Sequence, residues 1–255
     1  MTQLTIVKVG GQIVEEPESL NRLLRDFSQI AGHKILVHGG GRSATKLAER
    51  LNIENKMVGG RRITDEEMLK VVTMVYGGLV NKNIVAKLQS LSVDAIGLTG
   101  ADLNVILSEK RPVKEIDYGF VGDVKEVNVP ALSNLLNQDF VPVLAPLTHD
   151  GKGNLLNTNA DTIAGETAKS LAFNFNVRLI FCFEKAGVLT DENDDNSVIP
   201  VLDKELFLQY KEEGIIQGGM IPKLENAFEA LAAGVKEVVI TQASEINSGK
   251  GTSVR

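Results

Sequence analysis

Two lysines, an aspartate and three glycine-rich loops are the residues whose types and spacing could do chemistry. Lys8 lies in "LTIVKVGGQI", a short apolar run that breaks at Gly10-Gly11. A lysine facing only apolar core would cost several kcal/mol or lose its proton. An anion at the strand end would pair it, and in open α/β sheets ligands bind in the crevice at the carboxyl ends of the strands. Lys223, in "QGGMIPKLEN", falls in the first turn of an expected helix. A cation there opposes the helix dipole by about 0.3–1 kcal/mol, and a bound anion would reverse the sign. "VHGGGRSA" runs from a strand end into a helix, a junction that offers free N–H groups and a positive dipole end to a phosphate. "LLNTNADTIAG" sets Asn157, Asn159 and Asp161 just before another helix. A carboxylate between two lysines would keep both charged and aimed, while the asparagines hydrogen-bond a polar substrate. "GGRRIT" adds Arg61 and Arg62, whose planar forks suit bidentate carboxylate recognition.

Each feature also has a plainer account. Lys8 can snorkel from a strand end, and Lys223 can be an exposed helix lysine. Asn159 and Asp161 are good caps, with Thr158 to Asp161 spaced as a capping box. The two arginines can be a solvated basic turn. It is the convergence of two cations and three glycine loops that points to phosphate.

The elements that would position these groups alternate between short apolar runs and helical periodicity. "KILVHGGG" reads as a strand, followed by a helix with Ala44, Leu47, Ala48 and Leu51 on one face. "TDEEMLKVVTMV" reads as a helix with Thr64 as cap, Glu67 completing a capping box, and Gly77-Gly78 loosening its far end. "DAIGLTG", "NVILSEKR" and "FVPVLAPL" read as strands, the last placed at an end or edge by its prolines. "DTIAGETAKSLA" is a helix, "VRLIFCF" a strand covered on both faces, "TDENDDN" a solvated loop and "VKEVVI" the last clear strand. "PKLENAFEALAAG" has Pro222 in its first turn and Gly234 past its end, both favoured positions. This βα alternation predicts a three-layer αβα sandwich with a central, mostly parallel sheet. A break near Phe173–Asn176 would divide it into lobes of residues 1–174 and 175–255.

Bulk properties narrow the function. The chain has 255 residues, 43% of them hydrophobic, and a net charge of −6 with no basic stripe, which argues against a nucleic-acid partner. Its apolar runs are too short to span a membrane. The start enters a strand at once with no basic leader, and the single Cys182 excludes an intrachain disulfide, both of which suit the cytoplasm. There is no G-x-S-x-G, no H-E-x-x-H and no paired cysteine, and His33, His38 and His149 are scattered. Gly39, Gly41 and Ala44 match G-x-G-x-x-A, but the acid a dinucleotide-binding fold needs about 20 residues on is replaced by "VGGRRIT".

"KVGG", "VHGGG", "GRRIT", "NTNAD" and "GGMIPK", in that order, resemble the amino acid kinase family along essentially the whole chain. The resemblance is strongest to the branch that acts on N-acylated glutamate. It implies transfer of phosphate from ATP, with Mg²⁺ held mainly through the phosphates and no protein metal site. The acceptor would be the side-chain carboxylate of N-acetyl-L-glutamate, with N-succinyl-L-glutamate as the alternative, in the second step of arginine biosynthesis. Lys8 and Lys223 would stabilise the phosphoryl group in flight and Asp161 would organise them. Gly10, Gly11, Gly40 and Gly41 would offer amides to phosphate and substrate. Arg62 would take the α-carboxylate, with Asn157 and Asn159 alongside. Glu184, Lys185, Ala186, Gly187, Val188 and Leu189, with Ile215, Ile216 and Gln217, would border the nucleotide.

Two departures from the family pattern stand out. "FEKAG" replaces an Asp followed by a small apolar residue, and Arg61 replaces an apolar residue before the substrate arginine. Arg61 could read a second carboxylate, which is the reason to weigh a succinyl group. The immediate first strand leaves no preceding helix of the kind that joins dimers into hexamers, so the resemblance implies a homodimer without strong arginine feedback. Its interface would lie on Asp65–Leu79 and the segment after it. Carbamate, aspartate or uridylate kinases, a non-catalytic nucleotide-binding module and a dinucleotide-dependent oxidoreductase are the competing readings.

Overall fold

The computed structural model describes residues 1–191 and 193–255. β1 (Gln3–Val9) leads through Gly10 into α1 (Gly11–Glu15) and α2 (Pro17–Ser28), which Glu16 caps by accepting from the N–H groups of Glu18 and Ser19. β2 (His33–His38) enters α3 (Gly41–Arg50) with no side-chain cap. A hairpin of β3 (Met57–Val58) and β4 (Arg61–Arg62) turns through Gly59 and Gly60, both at positive φ, as a two-residue turn of that hand requires. α4 (Glu66–Val72) widens into π-helical turns over Thr73–Val80 before α5 (Asn81–Gln89), so Gly77-Gly78 does loosen the helix. β5 (Ala95–Leu98), β6 (Ile106–Lys110), β7 (Gly122–Val127), α6 (Val129–Asn137), β8 (Val141–Leu144), β9 (Leu147–His149) and β10 (Leu155–Asn157) follow. The chain closes with α7 (Ala160–Leu171), β11 (Asn176–Phe183), β12 (Val201–Leu202), α8 (Lys204–Glu212), α9 (Met220–Ala232), β13 (Glu237–Gln242) and β14 (Thr252–Val254).

Eight strands form one sheet in the order β12-β14-β13-β11-β1-β2-β8-β5, parallel except where β14 meets β13. Helices cover both faces, so the central strands are apolar along most of their length. On one face Leu4 and Ile6 of β1 and Val177, Leu179 and Phe181 of β11 pack under α7 and α9. On the other, Val7, Val9, Ile180 and Cys182 pack under α2, α3 and α5. This is the three-layer sandwich expected, and the sheet runs unbroken from residues before 174 to residues after it. A second sheet, ordered β10-β9-β6-β7, carries "NVILSEKR".

Three local expectations are corrected. The cap of α4 is Asp65, whose carboxylate accepts from the Met68 N–H at 2.8 Å; Thr64 instead donates to the Arg62 carbonyl. The cap of α7 is Asn159, accepting from the N–H groups of Asp161 and Thr162 at 2.8 and 3.1 Å, so Thr158 and Asp161 form no capping box. β8 is not an edge strand but lies between β2 and β5. Its pairing with β2 begins at Val143, so the N–H that Pro142 lacks is not missed on that side.

Candidate active site

Periodicity explains how the two lysines and the aspartate meet. Lys8 follows Leu4 and Ile6 at spacing two, so it points to the face covered by α7 and α9. Asp161 stands one helical repeat before the buried Ala164 and Ala168 of α7. Lys223 likewise precedes Ala227 and Ala230 of α9. Three apolar stripes therefore end in charged groups at the carboxyl edge of the sheet. Lys8 Nζ lies 2.7 Å from Asp161 Oδ1, with side-chain exposures of 9% and 12%. Lys223 Nζ sits 3.9 Å from the centroid of the Phe183 ring, and Lys8 Nζ lies 5.8 Å from the same point. The two ammonium groups are thus no more than about 10 Å apart. Burial lowers the Lys223 pKa below its ordinary 10.5; Asp161 and Glu184 pull it back up, and Lys8 pushes it down.

Beside them the glycine loops close on each other. A Cβ on Gly39 would stand 3.1 Å from the Gly11 nitrogen, a tight contact that glycine avoids. A Cβ on Gly11 would lie 3.6 Å from the Gly40 nitrogen, which places the amides of both loops side by side. The Gly10 amide is not free, because it donates to the Cys182 carbonyl at 3.2 Å; this corrects its expected role as a phosphate donor. His38, wholly buried, fixes the second loop. Its Nδ1 donates to the Gly39 carbonyl at 2.7 Å and its Nε2 accepts from Asn81 Nδ2 at 3.1 Å. Burial drives its pKa down to about 4, so it is neutral. Burial pushes the Cys182 thiol up to about 12, which agrees with a core role.

Two cavities are lined by residues that flank these groups in the chain. The first, of about 200 Å³, gathers all six residues expected to bind substrate: Gly40, Gly41, Arg61, Arg62, Asn157 and Asn159. Arg62 Nη2 donates to the Gly41 carbonyl at 2.8 Å and to Thr45 Oγ1 at 3.0 Å, while Nη1 donates to Asn55. Asn157 Nδ2 donates to Thr64 Oγ1 at 2.9 Å, and that hydroxyl donates to the Arg62 carbonyl at 3.0 Å, which ties the hairpin to α7's entry. The second cavity, of about 320 Å³, is lined by Lys185, Gly187, Val188 and Leu189 from one loop and by Ile215, Ile216 and Gln217 from another. Glu184 and Ala186 do not line it. Glu184 instead faces Arg42 across 3.9 Å in an exposed pair of little energetic weight.

Sequence reasoning missed several lining residues. Asn193, in the loop read as solvated, and Met220, just before the helix lysine, reach the second cavity. Tyr76 and the pair Arg111–Asp123, whose Nε-to-carboxylate distances are 3.1 Å, reach the first. Arg111 follows β6 and Asp123 lies on β7, the next strand, so their meeting depends on the register of that pairing and not on any helical or strand spacing. Tyr76 lies just past the helical stretch read from the sequence and carried no signal of its own.

Two cations, a carboxylate and paired glycine loops gathered at the strand ends are the arrangement of a protein that handles phosphate. Residues 3–242 match the model of the amino acid kinase family, and the chain belongs to that family. It is 70% identical over 254 residues to an acetylglutamate kinase of Parabacteroides distasonis, covering 100% of both chains. A crystal structure of smu.665 from Streptococcus mutans UA159 superposes with a TM-score of 0.82 at 28% identity, over 98% of each chain. A carbamate kinase from Giardia lamblia bound to AMP-PNP shares the fold, with a TM-score of 0.73 at 12% identity over 98% of this chain and 97% of that one. Among the described residues no helix is long and apolar enough to cross a membrane.

Proposed function

We propose that the protein phosphorylates the side-chain carboxylate of N-acetyl-L-glutamate with ATP, in the second step of arginine biosynthesis. A carboxylate oxygen forms a bond to the γ-phosphorus, the bond from that phosphorus to the β–γ bridging oxygen breaks, and ADP leaves beside an acyl phosphate. The observation that carries this reading is the Lys8–Asp161 pair at 2.7 Å, with Lys223 over Phe183 close by.

The chemistry asks little of a base. A glutamate side chain has a pKa of ~4.3, so the nucleophile is ionised at neutral pH. What opposes reaction is the repulsion between a carboxylate and a polyphosphate. Positioning and positive charge answer it. Lys8 and Lys223 supply charge at the transferring group, and Asp161 holds Lys8 in place. The amides of Gly11, Gly40 and Gly41 face the phosphate and acyl oxygens, and Arg62 takes the α-carboxylate. The loops Lys185–Leu189 and Ile215–Gln217 hold the nucleotide.

Mg²⁺ would reach the site on the phosphates of ATP, where it would neutralise part of their charge, while Asp161 stays engaged with Lys8. Residues 1–174 carry the acyl-amino-acid side and the dimer contact, and residues 175–255 carry the nucleotide side. The enzyme works as a homodimer in the cytoplasm. A panel of N-acetylglutamate, N-succinylglutamate, carbamate, aspartate and UMP, read by ADP release, tests the reading. Turnover of carbamate, aspartate or UMP in preference to both acylglutamates rejects it.

A further inference from the structure

We propose that Phe183 is a positioning residue: the face of its ring holds the Lys223 ammonium in place for phosphoryl transfer. The proposal rests on the kinase reading above and adds to it a group that touches neither substrate.

A lysine side chain has four rotatable bonds, and a point charge on so flexible a stem must be fixed before it can stabilise a transition state. Lys8 is fixed by Asp161. Lys223 makes no salt bridge among the described residues. Its ammonium lies 3.9 Å from the Phe183 ring centroid, well inside the range at which the ring quadrupole attracts a cation. The half-buried setting that lowers the Lys223 pKa is also the setting in which such an attraction is strongest.

The ring is itself held. Phe181 and Phe183 stand at spacing two on β11 and stack with centroids 6.5 Å apart and planes 11° from parallel. Phe181 is fully buried in the main core. It thus anchors Phe183 from below, at the strand end where Lys8 also comes within 5.8 Å.

A ring suits this position better than a second carboxylate. An acid paired with Lys223 would neutralise it and would repel the phosphoryl oxygens that the lysine must meet. A π face orients the ammonium and leaves its full charge for the phosphoryl group. The neighbouring residue, Glu184, is turned to the exposed Arg42 and does not take over the task.

The test varies the quadrupole and keeps the shape. Phe183 is replaced by mono-, di- and trifluorinated phenylalanine and, separately, by leucine. With N-acetylglutamate and ATP, kcat falls stepwise with each fluorine, by about threefold to thirtyfold across the series, while KM for both substrates moves less than twofold. Phe183→Leu falls at least as far as the trifluorinated variant. In parallel, NMR titration of the Lys223 ε-carbon in the free protein shows a lower pKa in Phe183→Leu than in the parent, because a stabiliser of the charged form is gone. A flat fluorine series in a parent that turns over overturns the proposal. Should the parent show no turnover, the kinase reading fails instead, and an unchanged Lys223 titration then rejects the ring contact independently.

Discussion

Lys8 Nζ and Asp161 Oδ1 are joined at 2.7 Å with side-chain exposures of only 9% and 12%, so each neutralises a charge that the fold could not otherwise bury. Removing one partner leaves the other unpaired, at a cost of about 3–5 kcal/mol. Lys8→Ala and Asp161→Asn should therefore lower the Tm as well as the rate. The double variant Lys8→Met, Asp161→Leu recovers most of the Tm, because an apolar pair of similar volume is tolerated. It does not recover kcat, which stays down by about 10²–10³-fold. Calorimetry and ADP release on the same samples separate the two effects. Recovery of rate along with stability in the double variant would show that the pair is only structural.

Lys223 gives stability and activity opposite pH dependences. Its folded pKa lies below 10.5, chiefly through burial. Between that value and 10.5 the unfolded chain binds more protons than the folded one, so rising pH stabilises the fold through this group. Activity falls through the same window as the ammonium is lost. The profile of kcat/KM reports the free enzyme and should break below 10.5. The profile of kcat reports the complex, where the phosphates favour the charged lysine, and should break at higher pH. Coincident limbs in the two profiles would remove Lys223 from contact with phosphate.

His38 produces the acid counterpart. Burial holds its pKa at about 4 against an ordinary 6.5. As pH falls from 6.5 to 4 the unfolded chain takes up a proton that the folded chain refuses, so stability drops by on the order of 3 kcal/mol and then levels off. Urea denaturation at pH 7 and pH 4.5 measures the drop, and His38→Gln should remove this share of it. The Gln variant also loses the neutral ring that bridges Asn81 and the Gly39 carbonyl beside the first cavity, so its KM for the acylglutamate rises. An equal acid loss in parent and variant would assign the effect to other groups.

The parts of this site written into the chain are those set by period and by glycine. Lys8 at spacing two from Ile6, Lys223 in a first turn after Pro222, and Asp161 one repeat before Ala164 could be placed from pattern alone. The three-layer fold followed from alternating βα signals. What stayed illegible depends on which strands pair and in what register. Arg111 and Asp123 meet only because β6 and β7 pair. The short β12 and β14 take their place from neighbours rather than from propensity. Thr64 and Asp65 are both good caps, and the choice between them was made by the link from Thr64 to Asn157. Phe183 looked like the last residue of an apolar strand, and its place under Lys223 required knowing where α9 begins.

The π-helical segment exposes Met74 and Leu79, at 51% and 58%, on the stretch expected to form the dimer contact. If these two exposed side chains belong to one apolar patch, a second copy would cover it. Light scattering should give twice the chain mass for the parent, and Leu79→Glu should give single chains without loss of helical signal. A monomeric parent, or a dimer untouched by Leu79→Glu, would move the interface elsewhere or abolish it.

Arg61 and Arg62 sit next to each other on β4 but meet the cavity differently. Arg62 is 7% exposed, and its guanidinium is already oriented by Gly41, Thr45 and Asn55. Such a fork is preorganised for a carboxylate, so Arg62→Lys should raise the KM for the acylglutamate about tenfold or more with the KM for ATP unchanged. Arg61 lines the same cavity, and no carboxylate among the described residues forms a salt bridge with it. Arg111, the other arginine there, is engaged by Asp123. A succinyl group carries one more carboxylate than an acetyl group, and the proposal is that Arg61 would receive it. The ratio of kcat/KM for N-succinylglutamate over N-acetylglutamate should therefore fall in Arg61→Ala by about tenfold, the loss of one charge-assisted contact. If the parent already prefers the acetyl substrate strongly and Arg61→Ala leaves the ratio unchanged, Arg61 does not read the acyl group and the cavity is built for acetyl alone.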